Sequence, residues 1–122
     1  MNKNILALAY LGDSVYEIYV RSHLLACGIQ KVNDLQKEAV HYVSASAQDR
    51  FLKKMIDAQF LCKEELEIVY RARNHKVNHK PKNASIIAYK NATGLEALIG
   101  VLFLEKKTKR LDEIMNYIIR GE

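Results

Sequence analysis

The chain is predicted to be all-α, a single compact helical bundle, on three observations. Apolar residues recur at helical spacing along nearly the whole sequence, whereas strict apolar–polar alternation never lasts long enough to draw a strand. Residues that interrupt helices are scarce, with 5 glycines and 1 proline among 122 residues. The composition, 49% apolar and 27% charged, is that of an ordinary soluble globular protein. A chain of this length forms one domain and buries roughly two-thirds of its unfolded surface, so it needs no covalent staples.

The elements follow in order. A first helix is expected from about Asn4 to Cys27, stopped by Gly28. Asn33 is placed to cap a second helix, with Gln36 at the capping-box position, ending near Val43. The run SASAQDRFLKKMIDAQ reads as a third, begun by Ser44 or Ser46. A fourth, KEELEIVYRARN, has acids in its first turn and Arg71 and Arg73 in its last, the order the helix dipole favours. NHKVNHKPKN, residues 74–83, holds the proline and three lysines but no acid and no periodicity, and reads as a loop. Asn83 or Ser85 restarts helix, which runs to about Lys106 with a kink expected near Gly94. A last amphipathic helix covers about Lys109 to Ile119 before Gly121. Repeats, low-complexity tracts and interdomain linkers are absent from the sequence.

Several classes are excluded on this basis. Cys27 and Cys62 each lie in or beside apolar runs and are expected to be buried thiols, with neither a disulfide nor a metal pair supported. The apolar stretch ILALAYLG is too short for a secretory signal and runs straight into Asp13, and no apolar run approaches the roughly 18–20 residues of a membrane helix. A cytoplasmic location is the expectation.

The net charge of +5 is unevenly placed. Between Glu67 and Glu96 there is no acid, and Arg71, Arg73, Lys76, Lys80, Lys82 and Lys90 give that window +6. The rest of the chain carries −1, so all excess positive charge sits in one segment. Asn74, Asn78 and Asn83 add hydrogen-bonding groups there. Such a cluster is the footprint expected for a phosphate backbone, the alternative being a solvated face balanced by acids elsewhere in the fold.

Two acids stand in unfavourable places. Asp13, with Gly12 beside it, interrupts LAYLGDSVYE in an otherwise apolar helix. Glu96 is the only charge in ATGLEALIGVLFL, with Gly94 and Gly100 nearby. Each alone could be satisfied by a helix N-terminus or could point outward through a gap in the core. Brought together without a counter-charge, one would have to protonate, whereas Mg²⁺ is commonly held by one or two carboxylates plus waters and phosphate oxygens. Glycine beside each acid would let helix backbones or substrate come close. Glu17, one turn after Asp13 on the same face, is a competing ligand or an outer acceptor, and Tyr16 is close enough to Asp13 to reach substrate. His75 and His79 are four apart in a proline-containing loop, which argues against a helical zinc pair; His23 and His41 are expected in packing or at an interface.

The pair LAYLGDSVYE and TGLEALIGVLFLEKK resembles the catalytic domain of ribonuclease III, whose signature couples an LGD[AS]V helix to an FEALIGALYL helix. HYVSASAQDRFL, residues 41–52, is similar to a third stretch of that family. The RARN…PKN loop, with no double-stranded RNA-binding domain expected in residues 1–122, matches its short bacterial branch, Mini-ribonuclease III. The resemblance implies a homodimer that cuts both strands of an RNA duplex with Mg²⁺, or Mn²⁺ in its place, leaving 5′-phosphates and short 3′ overhangs. It further implies maturation of the large-subunit (23S) ribosomal RNA precursor. Asp13 and Glu96 match the essential acids of the two motifs and would hold the metal. Tyr10 takes the place of an aromatic residue at the dimer contact. Arg71, Arg73, Asn74, Lys76, Lys80, Lys82 and Asn83 fall where this branch contacts RNA. Longer members carry two further acids where this chain has Ala9 and Thr93, so two acidic ligands per site are expected rather than four. Those two departures also support a rival reading, a catalytically inactive RNA-binding or ribosome-assembly module with the same fold. A helical interaction protein without any RNA role is the other.

Overall fold

In a computed structural model, residues 4–75 and 85–121 are described. They form six helices: α1 (Ile5–Ala26), α2 (Val32–Val43), α3 (Ala45–Asp57), α4 (Lys63–Arg73), α5 (Ile86–Leu104) and α6 (Thr108–Arg120). Among these residues there is no strand, as the periodicity predicts.

Helix starts are where local chemistry puts them, with two exceptions. Asn4 accepts from the amides of Leu6 and Ala7 at 2.8 and 3.4 Å, opening α1. Ser44 accepts from the Ala47 amide to open α3, and Ser85 from Ala88 to open α5. α6 begins after Lys107 with no side-chain cap, and α2 begins at Val32 after Lys31, whose side chain makes no cap either, so Asn33 and Gln36 lie inside the helix rather than at its start. Gly28, at φ +94°, turns the chain out of α1 in a conformation costly for any side chain.

α5 is the axis of the bundle. Eleven of its residues are buried, and α1, α3 and α4 pack along it. Contrary to the sequence expectation, α5 is long and apolar enough by length and composition to cross a membrane. In this fold the same apolar surface is covered by neighbouring helices, with Leu95, Leu98 and Ile99 fully buried against Tyr16, Val20, Leu52 and Val69. The helix continues without a break through Gly94, where a side chain would strike the Val69 carbonyl of α4, and it ends at Leu104, short of Lys106.

The cysteines differ from expectation. Both Cys27 and Cys62 are free but exposed. Cys27 lies 3.6 Å from the His23 ring at the end of α1, and Cys62 caps α4, its amide donating to Glu65 at 2.9 Å. Helix ends lie at the surface, which outweighs the apolar neighbours that suggested burial.

Candidate active site

α1 and α5 touch backbone to backbone. A Cβ on Gly12 would stand 1.7 Å from the Glu96 carbonyl oxygen, and one on Gly100 would stand 2.0 Å from the Leu8 carbonyl oxygen. Only two glycines permit this crossing. Its consequence is positional, because Asp13 follows Gly12 and Glu96 supplies the carbonyl that Gly12 faces. Two acids 83 positions apart in sequence therefore meet at one point.

Their environments differ. Asp13 is exposed, contrary to the burial its apolar helix suggested, because the 3.6-residue turn carries it onto the open flank of α1. Glu96 is half-buried. Burial pushes its carboxyl up to about 8, and the charge and hydrogen-bonding proximity of Asp13, with the charge of Glu17, push the same way against the opposing Gln48 hydrogen bond. Gln48 of α3 donates to Glu96 Oε2 at 3.0 Å through Nε2 and, from the same nitrogen, to the Val43 carbonyl at 3.1 Å. No Lys, Arg or His makes an ion pair with Asp13 or Glu96 among the described residues.

These residues fit a hard divalent cation. The donors are carboxylate oxygens, two acids already share charge at one point, and one flank is open to solvent, so water or phosphate oxygens can complete a shell. No group of three or more His, Cys, Asp or Glu poised as a closed metal cage occurs among the described residues. Glu17 instead pairs with Arg21 at 2.9 Å, one turn further along α1. Ala9 is buried beside Ala72, Ala97 and Val101, and the Thr93 hydroxyl donates to the Tyr89 carbonyl.

Other residues singled out by sequence fall as follows. Tyr16 is fully buried and its hydroxyl donates to the Tyr42 carbonyl at 2.7 Å, so it cannot reach substrate; burial, then Glu96, raises its pKa far above the ordinary value. Tyr10 is 83% exposed. Arg71 and Asn74 are exposed at the end of α4, and the Arg73 guanidinium lies 5.8 Å from the Tyr70 ring. His41 is exposed, and His23 is half-buried in edge contact with Tyr42. Lys76, Lys80, Lys82, Asn83 and His79 lie outside the described residues. Sequence reasoning missed Gln48, although a lone amide on the apolar face of α3, in line with Leu52 and Met55, was the available signal. It also missed Asp49, which accepts a hydrogen bond from buried Asn91 of α5.

Comparison with known proteins decides the family. The Ribonuclease III domain model matches residues 6–107. The chain belongs to the ribonuclease III family. It is thus an endoribonuclease, and the crossing of α1 and α5 lies within the part of the chain that matches the family. The Mini-ribonuclease 3 of Brevibacillus brevis is 47% identical, over 98% of this chain and 90% of that protein. That of Enterococcus faecalis is 44% identical, over 96% and 89%. The crystal structure of a protein from Fusobacterium nucleatum superposes with a TM-score of 0.86 at 35% identity, covering 98% of this chain and 94% of the other.

Proposed function

We propose that this endoribonuclease cuts double-stranded RNA as a Mg²⁺-dependent homodimer and matures the ends of the large-subunit ribosomal RNA precursor in the cytoplasm. Cleavage of double-stranded RNA follows from membership of the ribonuclease III family. The observation that carries the metal reading is the meeting of Asp13 and Glu96 with no cationic side chain between them, on a seam that only glycines allow. In this reading Asp13 and Glu96 are the catalytic acids and metal ligands, with Mn²⁺ able to take the place of Mg²⁺. A bound ion would supply an activated water and a charge sink for the leaving oxygen.

The chain's own residues do the remaining work. Glu96 must give up the proton that burial and Asp13 favour, so ion binding and proton release are linked. Gln48 keeps a donor on Glu96 Oε2, and Glu17, paired with Arg21, stands one turn along α1 from Asp13, where it would accept from a water held by a bound ion. Arg71, Arg73 and Asn74 lead into the basic segment with Lys76, Lys80, Lys82 and Asn83, and this patch engages backbone phosphates. Binding should therefore weaken steeply with salt. Support for a homodimer comes from Tyr10, exposed on α1, and from an apolar groove of about 430 Å³ between α1 and α2 lined by Leu25, Val32, Leu35 and Val40. Glu17 and Arg21 at the rim of that groove lie seven and eleven residues after Tyr10, on the same helix face. Two sites so arranged cut the two strands of one duplex.

The test is cleavage of a precursor-rRNA stem and of a generic duplex, each with Mg²⁺, Mn²⁺ or EDTA. The expected result is metal-dependent cutting of both strands to 5′-phosphate ends, faster on the ribosomal stem. Equal rates on the two duplexes overturn the ribosomal reading, and cutting in EDTA overturns the metal reading.

A further inference from the structure

We infer that Gln48 is a positioning residue for the reaction, its amide locking the Glu96 carboxylate to the end of α2 so that Glu96 presents a fixed face to Asp13 and to a divalent ion. This rests on the metal reading above. Gln48 is 1% exposed, on a helix face it shares with Leu52 and Met55, where an apolar side chain is the ordinary occupant. Its Nε2 spends both hydrogens, one on the Val43 carbonyl and one on Glu96 Oε2. Its Oε1 is buried with no hydrogen-bond partner among the described residues. An unpaired buried acceptor destabilises a fold, so the amide is a poor choice for packing alone. What it offers, and an apolar side chain does not, is one neutral donor group shared by two acceptors on different elements.

The anchor it uses is itself held. Val43 is the last residue of α2, where carbonyls have no donor from within the helix. The preceding carbonyl, of Tyr42, accepts from Tyr16 of α1. The end of α2 is thus pinned from α1 and α3, and Gln48 transmits that fixed position to Glu96 on α5. Neutrality matters as much as geometry. A lysine or arginine here would also bind Glu96 but would cancel the charge an ion needs, whereas an amide orients the carboxylate and leaves its charge intact.

The experiment compares wild type with Gln48→Met, close in volume, and Gln48→Leu. Mn²⁺ binding is followed by electron paramagnetic resonance at pH 8, alongside kcat and KM on duplex RNA and thermal melting. Loss of such an outer hydrogen bond typically weakens metal binding or activity roughly 10–100-fold. The expected result is weaker Mn²⁺ binding and lower kcat by that factor, unchanged KM, and a cooperative melt near that of wild type. A folded Gln48→Met whose Mn²⁺ binding and kcat lie within twofold of wild type overturns the inference. So does failure of both variants to fold, since the amide would then serve the fold alone. A wild-type protein that binds no Mn²⁺ overturns the metal reading, and the inference with it.

Discussion

Glu65 and Glu96 both stand on helices against the apolar core, yet one meets a cation and the other meets a second acid. Glu65, in the first turn of α4, is gripped by Arg110 of α6 at 2.7 and 2.8 Å and by the Cys62 amide at 2.9 Å. Arg110 also donates to the Phe60 carbonyl and lies 4.6 Å from the Phe60 ring. Burial raises the Glu65 carboxyl, but Arg110 and Cys62 together hold it below the usual carboxylate range. At Glu96 burial also raises the carboxyl, and there the nearest charges are negative, so it ends near 8. The first arrangement ties α4 to α6 and is complete in itself. The second is balanced by a proton, or by a cation in its place.

Removing the acids should separate the two regions most sharply. Asp13→Asn or Glu96→Gln should lower cleavage on the order of 10³-fold or more while duplex binding, read by filter retention, stays within a few-fold. Loss of cleavage and binding together would argue against the assigned roles. Glu65→Gln should do the converse. It removes one of the two acids that Arg110 pairs with, Glu113 being the other at 3.3 Å, and should cost about 2 kcal/mol in urea unfolding, with activity per folded molecule unchanged.

Gly12→Ala should lie between these extremes. The added methyl has nowhere to go but the α5 backbone, so a loss of about 1–3 kcal/mol is expected, together with reduced cleavage as the two acids are forced apart. The smallest effect is on pH dependence, and the two glutamates should give opposite signs. Glu65 binds its proton less readily folded than unfolded, so its contribution to stability is lost as pH falls through and below 4.5. Glu96 binds its proton more readily folded, so its contribution is full below 4.5 and is lost as pH rises through about 8. In metal-free protein the melting temperature of wild type should therefore fall relative to that of Glu96→Gln as pH rises from 4.5 to about 8. Parallel curves would show that Glu96 is not perturbed.

The helices were legible because their apolar spacing and their caps are local. Asn4, Ser44 and Ser85 open helices from within three residues of the groups they bind, and sequence shows such pairs directly. The pairing of Asp13 with Glu96 was legible in another way, from the cost of each acid in its helix and from the family resemblance, since no spacing rule spans 83 positions. Asp49 with Asn91 and Glu65 with Arg110 left no comparable trace, because each joins ordinary surface-type residues more than 40 apart, and the amide of Gln48 on an apolar face hinted at a role without naming Glu96 as its partner. The exposure of both cysteines was misread, and that of Asp13 left open, for a related reason. Apolar neighbours in sequence do not say on which flank of a turn a residue emerges. Lys31 at the start of α2 shows the limit of capping rules, since packing of α2 against α1 sets that boundary and no side-chain cap is made.

The glycine seam also dictates when the two acids can first meet during synthesis. While the polypeptide is emerging from its own ribosome, the N-terminal helix carries a solitary aspartate with nothing to work with. Only after residue 100 is out can the two backbones dock and bring the second acid alongside.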